Sequence, residues 1–343
     1  MNIMEIKDIL DQNSENFVKF FKENKIKYRK YSQEKCYVLK MSSDDMKETW
    51  HRNLRGLVYN YEEKRICVLP PSKACDINDM IEGETYTELY DGTMINVFYN
   101  NDKWNMSSRS TIGCNNRWIL NKTYKDLFEE TCNIDYTTLN KNYSYSFVLR
   151  NKQNRNISLI DDDEIILVKI YDTVDNCDRE VNDSWGFKTP QVITDMNNIV
   201  EDSRLKGFTY TKDNIRYKWL TDIFVYMREL KLNINDKSIL YFELRKNSNL
   251  TEYLRYFPED KDKFADTRDF FHNLKINLYN LYFSVYVKKD SNFKDMKYEY
   301  KPMIKDIHKI YLSSGNKIRL KTVEDYLHNS PSKRLKFIMN FSK

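Results

Sequence analysis

The sequence is poor in the residues that bend or break a chain, with seven glycines and six prolines in 343 residues. A chain so sparing of glycine keeps it where backbone geometry demands it, so each glycine is a position to explain. Its six cysteines (Cys36, Cys67, Cys75, Cys114, Cys132, Cys177) form no Cys-x-x-Cys pair. Neither a zinc centre nor a disulfide framework is expected from them; buried free thiols in a reducing cytoplasm are. The four histidines, His51, His272, His308 and His328, have no Glu or Cys at ligand spacing and read as structural or surface residues. No apolar run approaches the roughly 20 residues of a membrane span. The first residues lack the apolar core of a signal peptide. A cytoplasmic location with no membrane partner is therefore the expectation, and no repeat or low-complexity tract is visible.

What is present suits a folded chain of about two domains. Hydrophobic residues make up 41%, enough for a real core, and tyrosine (26) and phenylalanine (18) are abundant. The net charge of +5 is compatible with a nucleic-acid partner and does not require one. Ile3, Ile6, Ile9 and Leu10 share one helical face, and Phe17, Val18, Phe20 and Phe21 follow a candidate cap at Ser14. Strands are predicted over 37–41, 55–59, 65–69, 103–111, 143–150 and 165–171, with helices over 118–131 and 191–204. From about Asp222 the pattern becomes helical: Phe264, Phe271, Leu274, Leu278, Leu281 and Val285 form one stripe. Pro302, Thr322 and Ser330-Pro331-Ser332 open three further helices. Asp161-Asp162-Asp163-Glu164 reads as an acidic turn before a strand rather than a metal cluster.

The stretch 84–100 organises the rest. It reads as strand, tight turn and strand, with Asp91-Gly92 as the strongest short hairpin signal, since glycine tolerates the positive φ of such a turn. The frame Leu89-Tyr90-Asp91-Gly92-Thr93, followed by Met94, Ile95, Val97 and Phe98, resembles the Lys-x-Asp-Gly-(Ser/Thr) element of covalent nucleotidyltransferases: RNA ligases, DNA ligases and mRNA capping enzymes. Other segments resemble the same family in order. Arg55-Gly56-Leu57-Val58-Tyr59 and Pro70-Pro71-Ser72-Lys73 precede the central stretch. Ser108-Arg109-Ser110, Phe147-Val148-Leu149-Arg150, Asn154-Arg155-Asn156-Ile157, Lys206-Gly207-Phe208-Thr209 and Arg216-Tyr217-Lys218-Trp219 follow it. Gly56, Gly92, Gly113 and Gly207 fall at or beside these motifs. The overall order, and Ser330 to Phe337 near the end, also resemble ligase-like proteins of large cytoplasmic DNA viruses.

The resemblance implies an α+β fold: a ligase-type nucleotidyltransferase domain with antiparallel sheets and flanking helices over 1–222 (1–45 an N-terminal extension), then an α-helical domain over 223–343. It also exposes three departures. The lysine that would attack the α-phosphate is Leu89, which has no lone pair. The glutamates that would serve a divalent metal and the nucleotide are Val148 and Lys206, which offer a metal no oxygen. No catalytic residue and no metal ligand is therefore expected. The same changes make the cleft more positive, and Arg offers a fork for phosphate. The candidate nucleotide- or RNA-binding set is Tyr90, Asp91, Gly92, Arg109, Arg150, Arg155, Lys206, Arg216 and Lys218, with Arg55, Lys73, Tyr217 and Trp219 as further candidates. Tyr90, Tyr217 and Trp219 would stack a base or a cap guanine. Each has a plainer reading: Tyr217 and Trp219 share one strand face and can be core, Arg55 and Arg155 can be sheet-face ion pairs, and Asp91 a turn former. The leading expectation is a catalytically inactive RNA ligase-like protein that binds RNA ends, among them a capped 5′ end. No cofactor is required, and ATP, GTP or cap guanosine is the expected ligand. The alternatives are an active enzyme with a relocated lysine such as Lys73, and a scaffold subunit of a viral complex whose helical domain meets viral or host proteins.

Overall fold

The computed structural model describes residues 3–81, 83–117, 121–194 and 202–341. The chain forms two compact units, Met1–Val225 and Tyr226–Lys343. The fold is α+β: sheets that are antiparallel apart from one short parallel pair, with helices, in the first unit, and, among the described residues, helices alone in the second.

In the first unit, α1 (Ile3–Gln12) and α2 (Phe17–Glu23) present Ile6, Leu10, Phe17 and Phe21 to one face of a four-stranded sheet. Asn16, rather than Ser14, caps α2, its side chain accepting from the Lys19 amide. The sheet runs in chain order, β1 (Lys27–Tyr31), β2 (Cys36–Lys40), β3 (Arg55–Asn60) and β4 (Arg65–Val68), all antiparallel. The chain continues through β5 (Cys75–Asp76), β6 (Tyr86–Leu89), β7 (Thr93–Asn100) and β8 (Lys103–Ser108). After α3 (Tyr124–Thr131) come β9 (Tyr143–Arg150), β10 (Glu164–Asp172), β11 (Cys177–Arg179), β12 (Val192–Ile193), β13 (Gly207–Lys212) and β14 (Ile215–Leu220). The second sheet has the order β11-β10-β9-β7-β8 and the third β12-β6-β13-β14-β5. Thr123 caps α3 reciprocally with Asp126. Residues 118–120 of the helix expected over 118–131 lie outside the described residues. So do 195–201 of the helix expected over 191–204, whose described start is β12.

The central stretch corrects the hairpin expectation. β6 and β7 do not pair with each other. β6 pairs with β12 and β13 in the third sheet, whereas β7 pairs with β8 and β9 in the second. Asp91-Gly92 is thus a crossing between sheets. Gly92 does not adopt a positive φ there. It is required by closeness: a Cβ would sit 2.5 Å from the Leu149 carbonyl oxygen and 2.6 Å from Val148 Cγ1.

The helical unit begins within α4 (Asp222–Lys231), at whose start the sequence boundary of 222/223 falls. It continues with α5 (Lys237–Lys246), α6 (Leu250–Tyr256), α7 (Ala265–Tyr282), α8 (Lys301–Ser314), α9 (Leu320–Asn329) and α10 (Ser332–Phe341). Phe271, Leu274 and Leu278 are buried along α7, as their 3-and-4 spacing predicts. Gly315 ends α8 in the left-handed conformation. Thr322 lies inside α9, not at its cap, and accepts from the Arg319 amide. All six cysteines are free. No described helix is long and apolar enough to cross a membrane.

Candidate functional site

Strand alternation decides which side chains meet. Along β14, Arg216 and Lys218 point one way while Tyr217 and Trp219 point the other. β13 pairs with β14 in the register Thr209↔Lys218 and Thr211↔Arg216. Thr209 and Thr211 therefore join the cations on one face, and Phe208 and Tyr210 join the rings on the opposite one. The cationic face lines a cleft of about 620 Å³ in the first unit. Arg55 enters from β3, Lys73 from the segment before β5, and Arg109 from the turn after β8. Leu89 and Tyr90, Gly92, and Val148 complete the wall around the sheet crossing.

The expected site residues separate into three groups. Arg55, Lys73, Tyr90, Gly92, Arg109, Lys206, Arg216 and Lys218 all line the cleft, as do the motif positions Leu89 and Val148. Asp91 is buried beneath it. Its Oδ2 accepts from the amides of Ile157 (2.8 Å) and Ser158 (3.4 Å), and its Oδ1 lies 3.7 Å from Lys206 Nζ. The third group is a correction. Arg150 is buried and committed to the fold, donating to Glu164 Oε1 (2.7 Å) and to the carbonyls of Leu159 (2.6 Å) and Arg204 (2.9 Å). It also lies over the Tyr90 ring at 5.1 Å. Arg155 is spent on the carbonyls of Ser158 and Ile157. Tyr217 stacks on Tyr210 (5.0 Å) and Trp219 on Phe208 (6.1 Å), both half-buried against the core. An aromatic residue at every second position buries one sheet face regardless of what the other face carries, so the plainer reading of this pair holds. Of the three candidate stacking rings, Tyr90 alone lines the cleft, its hydroxyl donating to Glu88 Oε2 at 2.6 Å.

The cations sense one another. Burial first, and the neighbouring Arg109 second, push the Arg55 guanidinium down. Burial and then Arg55 do the same to Arg216. The Lys206 ammonium is lowered mainly by burial; Lys218 and Arg55 add to this, and Asp91 opposes it. Positive charge gathered in one cleft and only partly met by Asp91 and Asp76 favours an arriving anion. Because the folded-state pKa of Lys206 is depressed, the folded protein loses that proton first as pH rises toward the ordinary lysine value of 10.5. The unfolded chain then binds more protons, so the stability of the ligand-free protein should rise across that window. Phosphate affinity should fall over the same window as the ammonium is lost. Chemical denaturation from neutral pH to 10.5, compared with a Lys206→Met variant, checks this; a stability gain that survives the substitution does not come from Lys206.

No protein-family model matches the chain. It is 23% identical over 308 residues to the immediate-early protein ICP-46 homolog of Invertebrate iridescent virus 6, an alignment covering 77% of this chain and 66% of that protein. The match thus spans just under two thirds of its viral relative. Similar solved structures are an Aquifex aeolicus protein assigned as an ATP-dependent DNA ligase (TM-score 0.43, 12% identity, 72% of this chain and 79% of that one) and an apo RNA ligase of Naegleria gruberi (TM-score 0.30, 10% identity, 43% and 52%). Both scores lie below 0.5, so the cleft residues themselves carry the functional reading.

Sequence reasoning missed several lining residues. Thr209 and Thr211 were legible from their alternation with Phe208 and Tyr210. Lys169 was not, because a bulge between Leu167 and Lys169 resets the alternation of β10 and turns that side chain to the cleft. It pairs there with Asp178 at 2.9 Å. Arg52, which donates to the Lys73 carbonyl at 3.3 Å, sits on a short helical turn with no motif to mark it.

The donor set does not fit the divalent metal that the ligase resemblance implies. Val148 and Leu89 offer no oxygen, and Lys206 brings an ammonium to the site. Among the described residues, no group of three or more His, Cys, Asp or Glu could hold a metal ion. The acidic run 161–164 is divided among separate partners: Asp161 with Arg204, Asp162 with Lys152, and Glu164 with Arg150 and Lys188.

Proposed function

We propose that the cleft binds the phosphorylated end of an RNA, or the nucleotide that such an end resembles, and leaves it chemically unchanged. One observation carries this reading: Arg55, Lys206, Arg216 and Lys218 converge on a cleft whose motif-lysine position is Leu89 and whose motif-glutamate positions are Val148 and Lys206. Four cations suit a chain of phosphates, and leucine cannot form a phosphoramidate with one. Tyr90 is the ring available to a terminal base or cap guanine. Fluorescence polarisation with triphosphorylated, capped and hydroxyl-ended RNAs of one sequence tests the proposal. The phosphorylated ends should bind more tightly than the hydroxyl end, increasingly so at low salt, because phosphate contacts release counterions. Equal affinity for all three ends overturns it.

A second reading has one observation in its favour. Lys73 and Lys206 are among the four lysines that line the cleft, and the Lys206 backbone amide donates to the Leu89 carbonyl at 2.9 Å, placing an amine-bearing residue beside the motif-lysine position. Incubation with labelled ATP or GTP followed by denaturing electrophoresis separates the two readings. A covalent band lost in Lys206→Ala or Lys73→Ala establishes a relocated nucleophile, and no band supports binding alone.

A further inference from the structure

The charges around the cleft are unevenly satisfied. Its carboxylates are engaged by the protein itself. Asp91 is held by two backbone amides with Lys206 beside it. Glu88 Oε2 accepts from the Tyr90 hydroxyl and, at 3.0 Å, from the Gln191 amide. Asp178 is paired with Lys169. The cations are only partly met: Lys169, Lys206 and Arg179 have acidic partners, and others do not. Lys218 has Asp76 at 3.0 Å, an acid that is itself 70% exposed. Among the described residues, no carboxylate lies within ion-pair distance of Arg55, Lys73, Arg109 or Arg216. Arg216 makes only long contacts, to the Ser72 carbonyl (3.5 Å) and Thr209 Oγ1 (3.4 Å). The wall therefore has side-chain donors without acceptors and, among the described residues, no group of three or more His, Cys, Asp or Glu placed to hold a metal.

Building on the reading of this cleft as a phosphate site, we propose that it takes a 5′-polyphosphate as the free anion, without a divalent cation, and that Lys206 supplies the positive charge a metal would otherwise bring. A magnesium ion on a polyphosphate neutralises part of its charge and needs oxygen ligands and several waters of its own. In this cleft it would meet guanidinium and ammonium groups instead. Repulsion between like charges a few ångströms apart is strong where burial limits screening. The metal-free polyphosphate keeps its full charge and can accept from Arg55, Lys206, Arg216 and Lys218 together. Lys206 is the pivot of this arrangement because its ammonium sits between the cleft and Asp91. A carboxylate at position 206 would leave Asp91 with an acidic neighbour in place of a cation, which is a metal-binding pair.

The test measures ATP and a 5′-triphosphorylated RNA against the full-length protein, each in EDTA and in saturating magnesium at matched ionic strength. The expected result is affinity about tenfold or more higher in EDTA, the effect of roughly one favourable charge contact. The Lys206→Glu variant should lose affinity in EDTA and bind more tightly with magnesium than without it. Lys206→Gln should lose affinity in EDTA and gain no metal response, and thermal melts of both variants confirm that they fold. Equal or tighter binding with magnesium in the native protein overturns metal-free capture while leaving the phosphate-site reading intact. No binding of either probe under either condition overturns both. If ATP binds and the RNA does not, the ligand is the free nucleotide, and the same EDTA preference must appear with ATP alone.

Discussion

Arg216→Ala should weaken binding of a triphosphate-ended RNA by about 10- to 100-fold without destabilising the protein. The size follows from removing one charge-assisted donor, about 1.5–3 kcal/mol. The absence of a stability cost follows from what Arg216 does in the ligand-free fold. Its contacts to Ser72 and Thr209, at 3.5 and 3.4 Å, are too long to hold much. Its guanidinium is pushed down by burial and by Arg55, so its charge works against the folded state. Alanine removes that repulsion, and the melting temperature should stay level or rise while affinity drops. A structural arginine behaves in the opposite way. Arg150→Ala, which removes one of the two cations on Glu164 and strands two carbonyls, is the contrasting variant. Unchanged RNA affinity in Arg216→Ala, by polarisation at low salt, would remove the cationic wall from the binding site.

Gly207→Ala should cost about 3 kcal/mol of stability, the upper part of the range for overpacking a tight site. A Cβ at position 207 would lie 2.0 Å from the Trp219 carbonyl oxygen and 2.9 Å from Leu220 Cα. Both are backbone atoms of the paired strand β14, so no side chain can swing aside. The backbone of β14 must move, and Lys218 with it. Gly315→Ala provides the control, since position 315 also has a positive φ (66°) but nothing lies within 4 Å of its Cβ. That variant should show only the conformational penalty, about 1 kcal/mol. Urea denaturation of both separates crowding from backbone strain; equal losses in the two would show that packing against β14 is not the cause.

The elements that local spacing specifies were legible. The stripe along α7, the β3–β4 hairpin and the apolar faces of α1 and α2 follow from periodicity and burial alone. The Asp91-Gly92 signal correctly marked a break between strands, but local sequence does not say which strands each arm joins. That is decided by β9 and β13, which arrive dozens of residues later. The cationic half of the candidate site was legible for the same reason as the fold: Arg216 and Lys218 sit on a strand whose alternation can be read, and Lys206 immediately precedes another. Arg150 and Arg155 were not separable from them. An arginine latched to backbone carbonyls and one facing a cleft look alike until the chain closes around them.

The sheet crossing has a mechanical consequence. Leu89 is clamped to Gly207 on one side of it, and Gly92 is pressed on Leu149 on the other. Asp91, between them, grips the loop that follows β9. No slack remains in that seam for a hinge. The width of the hollow at the crossing is thus fixed by backbone contacts of the ligand-free fold.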